Sequence, residues 1–181
     1  SAVLGRPVRD ERILEAFRVC RDFGMETVAY NMVGLPGEER RKVLATVKLN
    51  ARCRASRVVV SVFSPYPGTD LYDLAVREGF ARPPLDYRAR AFLDQPGLNK
   101  AEVLFFHLWF RPLVRAYRLL GSDTSLGRLA DPVVLSRHLP VGLLVLLAEV
   151  AQLGLVRLRH LLQVRLPRLY RLLRALRRGI A

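Results

Sequence analysis

Cysteine, methionine and histidine are scarce in this chain, at two, two and three residues among 181. Cys20 and Cys53 lie on either side of a glycine loop at 34–37 and have no metal-ligand spacing. That excludes a disulfide framework and a Cys-rich metal site, and it fits a reducing cytoplasm. Both read as small hydrophobic packing residues. His107, His138 and His160 all fall in the C-terminal half, where they read as packing or interfacial residues. No His, Asp or Glu pair has catalytic spacing, so no catalytic residue and no metal ligand is assigned. Acids nearly vanish beyond Glu102, leaving Asp123, Asp131 and Glu149. Spanning a bilayer takes roughly 20 predominantly apolar residues. The best candidate, 139–156, is marginal for that and is interrupted by Glu149 and Gln152, at an insertion cost of a few kcal/mol. No signal peptide is visible. The chain opens at Ser1 without an initiator Met and soon meets Arg6-Pro7, the expectation for a segment of a longer protein.

Base and oil are abundant instead. Lys and Arg number 30 against 16 Asp and Glu, a formal net charge of +14, while 51% of residues are hydrophobic. That combination excludes a disordered basic tail and points to a polyanionic partner surface, nucleic acid or an anionic membrane.

Two stretches share one grammar. Val28–Glu38 reads V-A-Y-N-M-V-G-L-P-G-E and Val58–Asp70 reads V-V-V-S-V-F-S-P-Y-P-G-T-D. Each is a β-branched and aromatic run, then a Pro-Gly turn, then a helix start. Pro36-Gly37 and Pro67-Gly68 suit the two central positions of a type II turn, where the second residue takes φ > 0. Gly34 removes a Cβ and permits close approach of a ligand to the backbone. Glu38, Glu39, Thr69 and Asp70 complement the N–H groups and dipole of the helices they open. Successive strand–turn–helix units give parallel strands whose C-terminal ends share one edge, where α/β folds bind ligands.

The periodicity predicts helices over Asp10–Phe23, Glu38–Arg54 and Thr69–Glu78, and strands over Glu26–Val33 and Arg57–Phe63. The second strand is apolar on both faces, as for a strand covered by helices. Two strands do not make an independent sheet, so further strands are expected from outside the segment. Residues 81–99 are Pro-rich and read as a linker or strap. Residues 100–181 form a helical, Leu/Arg-rich extension, with helices expected near 100–120, 132–138, 141–163 and 168–178. On 168–178, Leu169, Leu172, Leu173 and Leu176 share one face opposite Arg171, Arg174 and Arg178. This basic tail predicts peripheral attachment to an anionic membrane surface, at the inner face of the cytoplasmic membrane, and an apolar or lipid-like substrate.

Arg6-Pro7, N-M-V-G-L-P-G-E at Asn31–Glu38 and S-P-Y-P-G-T-D-L-Y at Ser64–Tyr72 together resemble the radical S-adenosylmethionine (SAM) superfamily, most of all members with an N-terminal cobalamin-binding domain. The resemblance covers about residues 1–80. It implies an α/β fold, the C-terminal half of a partial (βα)6 TIM-like barrel, followed by an α-helical basic tail. It implies SAM as cofactor, bound on its adenine side by Met32, Val33, Gly34, Gly37 and Phe63. It further implies a [4Fe–4S] cluster that cleaves SAM to a 5′-deoxyadenosyl radical, and cobalamin as a further cofactor. The C-x-x-x-C-x-x-C loop that ligates such a cluster is absent here, so its ligands are expected outside this segment, which alone is not catalytic. Related tRNA methylthiotransferases share a G-x-P-G-E loop but carry a β-rich RNA-binding tail, and the Leu/Arg tail here argues against nucleic acid. Two alternatives remain: an RNA-modifying radical SAM enzyme, and a non-catalytic, membrane-associated helical adaptor.

Overall fold

A computed structural model describes residues 8–136 and 138–165; within the last helix, the side chains of 155 and 157–164 are left aside. The order of elements is α1 (Asp10–Asp22), β1 (Val28–Val33), α2 (Arg40–Cys53), β2 (Arg57–Val62), α3 (Asp70–Arg77), α4 (Lys100–Leu120), α5 (Ser125–Leu135) and α6 (Val141–Arg165). The fold is mixed α/β and mostly helical, with β1 and β2 paired in parallel from Val28↔Arg57 to Val33↔Val62. The alternation of helix and strand expected from the sequence is present. The expected helix at 168–178, with its leucine and arginine faces, lies outside the described residues.

Residue contacts divide the chain into Ser1–Val141 and Gly142–Ala181. The helical stretch that begins at Lys100 therefore contributes α4 and α5 to the same unit as the strands. Its starting signal is a full capping box: the Asn99 side chain accepts from the Glu102 N–H and Glu102 accepts from the Asn99 N–H. Each side chain thereby satisfies an amide that has no intrahelical partner. Val103, Phe106, Phe110, Val114 and Tyr117 recur on one face of α4 and are almost fully buried. That face packs on α2 and the sheet. α4 runs on through Pro112.

The sheet is one-sided. Ala29 and Val33 are buried on one face of β1, while Tyr30 is 80% and Met32 43% exposed on the other. On the covered face Asn31 and the buried Asn50 of α2 exchange side-chain amide bonds of 3.1 and 2.6 Å. On β2 Ser61 is exposed opposite Met32, while Val59, opposite Tyr30, is half-buried like Val58, Val60 and Val62. A strand covered on both faces was the expectation for β2; among the described residues helices cover one face only.

α5 begins at Ser125, earlier than the sequence suggests. The helix expected near 132–138 is capped at Thr124, whose side chain accepts from the Gly127 N–H at 3.2 Å, and Pro132 sits inside it. α6, taken alone, carries Leu143, Leu146, Leu147, Val150, Leu153 and Val156 as exposed apolar residues. No helix among the described residues is long and apolar enough to cross a membrane.

Candidate functional site

The C-terminal ends of β1 and β2 run into two glycine turns. Gly37 and Gly68 both take positive φ, at 71° and 82°, as type II turns require. In the first turn the Glu38 N–H closes back on the Leu35 carbonyl at 3.0 Å. In the second it is the Thr69 hydroxyl that donates to the Tyr66 carbonyl, at 2.8 Å, while Thr69 also caps α3.

The donors of the first loop are spent within the protein. Glu38 Oε2 accepts the N–H groups of Gly34 and Leu35 at 2.6 and 3.2 Å. Glu38 therefore caps the loop and not α2, whose N-cap is Glu39, without a side-chain bond. That corrects the helix-capping role expected for both acids. Burial pushes the Glu38 carboxyl above the usual range, against the pull of those two backbone bonds and of Lys42. The Gly37 N–H donates to Gln95 Oε1 at 2.8 Å, and Gln95 Nε2 donates to the Leu35 carbonyl at 2.9 Å. A loop whose amides are all engaged is not an anion cradle. It offers shape.

Gly34 does allow a close approach, and Val103 of α4 makes it. A Cβ added at Gly34 would lie 3.2 and 3.4 Å from the two Val103 methyl groups. Val33 beside it is 1% exposed. Phe63 is buried in a cluster with Ala75, Ala81 and Leu93, against Leu71 and Phe92. Of the residues expected to neighbour a cofactor, Met32 presents its side chain on the open face and Gly37 lies exposed at the loop tip, while Val33, Gly34 and Phe63 are packed inside and set the loop positions.

Sequence reasoning missed three contributors, all from the strap and α4. Gln95 and Val103 hold the first loop. Tyr87 stacks on Tyr66 of the second loop, with ring centroids 5.9 Å apart and an interplanar angle of 11°, and its hydroxyl donates to the Pro65 carbonyl at 3.0 Å. No local signal in the sequence marks any of the three; the burial of Gln95 between Asp94 and Pro96 shows only in the structure.

No group of His, Cys, Asp and Glu among the described residues is arranged to hold a metal ion. Cys53 is buried and Cys20 half-buried, both free thiols, as packing residues. His107 is half-buried on α4, its pKa lowered by burial and by nearby Arg90 and Arg111. His138 is exposed and the side chain of His160 lies outside the described set.

Compared with known proteins, the chain matches no family model. It is similar to an uncharacterized methyltransferase of Pyrococcus horikoshii, 26% identical over 73 residues. The match takes in 40% of this chain and 16% of that protein's length.

Proposed function

We propose that this chain is part of a SAM-dependent enzyme of the radical SAM type, in which β1 and β2 form a section of a barrel wall beside the adenine of SAM. The observation that carries the reading is the sidedness of the sheet. Helices cover the face of Ala29, Asn31 and Val33, while Tyr30 and Met32 stay open at 80% and 43% exposure. In a barrel the outer face of each strand packs on helices, and the ligand site lies at the C-terminal strand ends. The distant similarity to a protein named as a methyltransferase supports SAM as the cofactor.

The fit differs between cofactors. Met32 and the rigid turns at 34–37 and 64–68 suit a flat, largely apolar base edge. The described residues do not suit an iron–sulfur cluster, since no ligand set exists among them. The cluster and cobalamin are placed on residues outside this segment, and no step is derived through them. When bound, such cofactors supply the hard chemistry, and the residues here bind, orient and exclude water. We place the whole on an anionic membrane surface through residues 166–181, with an apolar or lipid-like substrate.

The test is SAM binding by the full polypeptide that contains this segment, compared between Met32→Glu and Met25→Glu. Met25 is also exposed, at 60%, but precedes β1. Met32→Glu should weaken SAM binding by about tenfold or more, through a charge set in an apolar contact. Equal affinities for the two variants would remove the proposed wall.

A further inference from the structure

The strap carries a cavity that the proposed function does not use. The Asp94 N–H donates to the Phe80 carbonyl at 3.0 Å, so residues 81–93 loop out and return to the segment that follows α3. A cavity of about 450 Å³ opens on this loop, with Phe80, Leu85 and Phe92 as its apolar walls. The same three side chains are half-buried and pack on the cluster of Phe63, Ala75, Ala81 and Leu93. Phe92 also meets the Tyr87 ring, with centroids 5.9 Å apart and planes at 45°. Tyr87 in turn is fixed by its stack on Tyr66 and its bond to the Pro65 carbonyl. Walls held in this way are formed before any ligand arrives. The volume falls within the roughly 300–1,000 Å³ of small-molecule sites.

Four charged side chains line the same cavity, Arg82 and Lys100 with Asp86 and Asp94. On an exposed strap such groups are ordinarily solvated surface, and opposite charges on one rim commonly pair with each other. Here none of the four enters an ion pair among the described residues. Asp86 Oδ1 accepts the Arg88 N–H at 2.9 Å, which leaves its second oxygen to the cavity side of the account. Charges of both signs, unpaired beside apolar walls, match a ligand that carries both charges next to an apolar body. Concavity strengthens the match, because low-dielectric walls focus the field of the charges that line a cleft.

We propose that this cavity binds a small apolar zwitterion, an α-amino acid with an apolar side chain. The ligand side chain lies against Phe80, Leu85 and Phe92, its carboxylate is taken by Arg82 and Lys100, and its ammonium by Asp86 and Asp94. The volume accommodates one amino acid and not a two-chain lipid. No cofactor takes part, and Met32 and the glycine turns do not line the cavity, so the site stands or falls without the SAM reading.

The experiment titrates L-phenylalanine into the full chain and follows the phenylalanine ring resonances of the protein by NMR. Those of Phe80 and Phe92 should shift saturably, while those of Phe106 and Phe110, buried on α4, stay in place. Two further probes each lack one charge: 3-phenylpropionate has no ammonium and 2-phenylethylamine no carboxylate. L-Phenylalanine should bind more tightly than either by about threefold or more, the size expected for ion pairs that water reaches. Arg82→Gln/Lys100→Gln should erase its advantage over 2-phenylethylamine, and Asp86→Asn/Asp94→Asn its advantage over 3-phenylpropionate. All four positions are exposed, and asparagine at 86 keeps an acceptor for the Arg88 N–H, so both variants should retain the parent's melting curve. Absence of a saturable shift at Phe80 and Phe92 overturns the site. Equal affinity for the three probes, or an order of affinities that neither variant changes, overturns it as well.

Discussion

The Gly37 N–H donates to Gln95 Oε1 at 2.8 Å across 58 residues of sequence. The same amide returns a bond from Nε2 to the Leu35 carbonyl, so one side chain closes both sides of the Pro36 turn. Gln95 is 4% exposed, so its amide competes with little water. The strap is thus a clasp on the loop that follows β1.

Gln95→Ala should leave the Leu35 carbonyl and the Gly37 N–H without those partners. Stranding a buried polar group costs about 1–3 kcal/mol. The expected result is a clear fall in urea midpoint with an unchanged slope. Gln95→Glu should cost at least as much, since it sets a carboxylate against the Leu35 carbonyl. Wild-type stability in both variants would show that the clasp carries no energy.

Gly34 and Gly37 separate two reasons for glycine. Both have positive φ, at 86° and 71°, so alanine strains the backbone at each by about 1 kcal/mol. At Gly37 a Cβ meets nothing within 4 Å, whereas at Gly34 it presses on Val103. Gly34→Ala should therefore destabilise more than Gly37→Ala in thermal melts, and adding Val103→Ala should recover part of the difference. Equal costs would mean that the Val103 contact is slack.

Strands, turns and the first three helices were legible in the sequence because β-branched runs, Pro-Gly pairs and apolar spacing are local signals. The α4 start is local too, an Asn-x-x-Glu box at Asn99–Glu102. What resisted reading was long-range. Val103, 69 positions on, fills the space beside Gly34, and Gln95 reaches back 58 positions to Gly37; Glu38 bonds only three and four positions away, but an acid there reads equally well as a helix cap. The helix expected near 132–138 instead runs over Ser125–Leu135, because its cap is Thr124.

Glu38 gives a pH dependence of definite sign. Its pKa is raised above the ordinary 4.5 by burial. A carboxyl with a raised folded value stabilises the fold below its unfolded value, and that contribution is lost as pH rises through the folded value. Ionised Glu38 is therefore a net cost near neutrality. Glu38→Gln keeps an acceptor for the Gly34 and Leu35 N–H groups and removes the titration. Its melting temperature relative to the parent should rise between about pH 4 and pH 7. A constant difference across that range would contradict the assignment.

Lys48, Tyr117 and Asp131 tie α2, α4 and α5 together. The Tyr117 hydroxyl donates to Asp131 Oδ1 at 2.7 Å, Lys48 Nζ reaches Oδ2 at 2.9 Å, and the same ammonium lies 5.6 Å from the Tyr117 ring centroid. Tyr117 is 1% exposed, and burial with the Asp131 charge raises its pKa strongly. Tyr117→Phe should cost about 1.5–3 kcal/mol, the usual worth of a hydrogen bond to a charged group. A double-mutant cycle with Lys48→Met should show coupling above about 0.5 kcal/mol. Additive losses would mean that the three groups act separately.

The most direct test of the central claim is the fate of SAM. The full polypeptide that contains this segment, reconstituted with iron and sulfide without oxygen and given a strong reductant, should convert SAM to 5′-deoxyadenosine and methionine. The 181-residue chain alone should form neither product, and Met32→Glu in the full polypeptide should lower the yield. S-adenosylhomocysteine as the sole nucleoside product, with no 5′-deoxyadenosine, would contradict the account and leave an ordinary methyl transfer in its place.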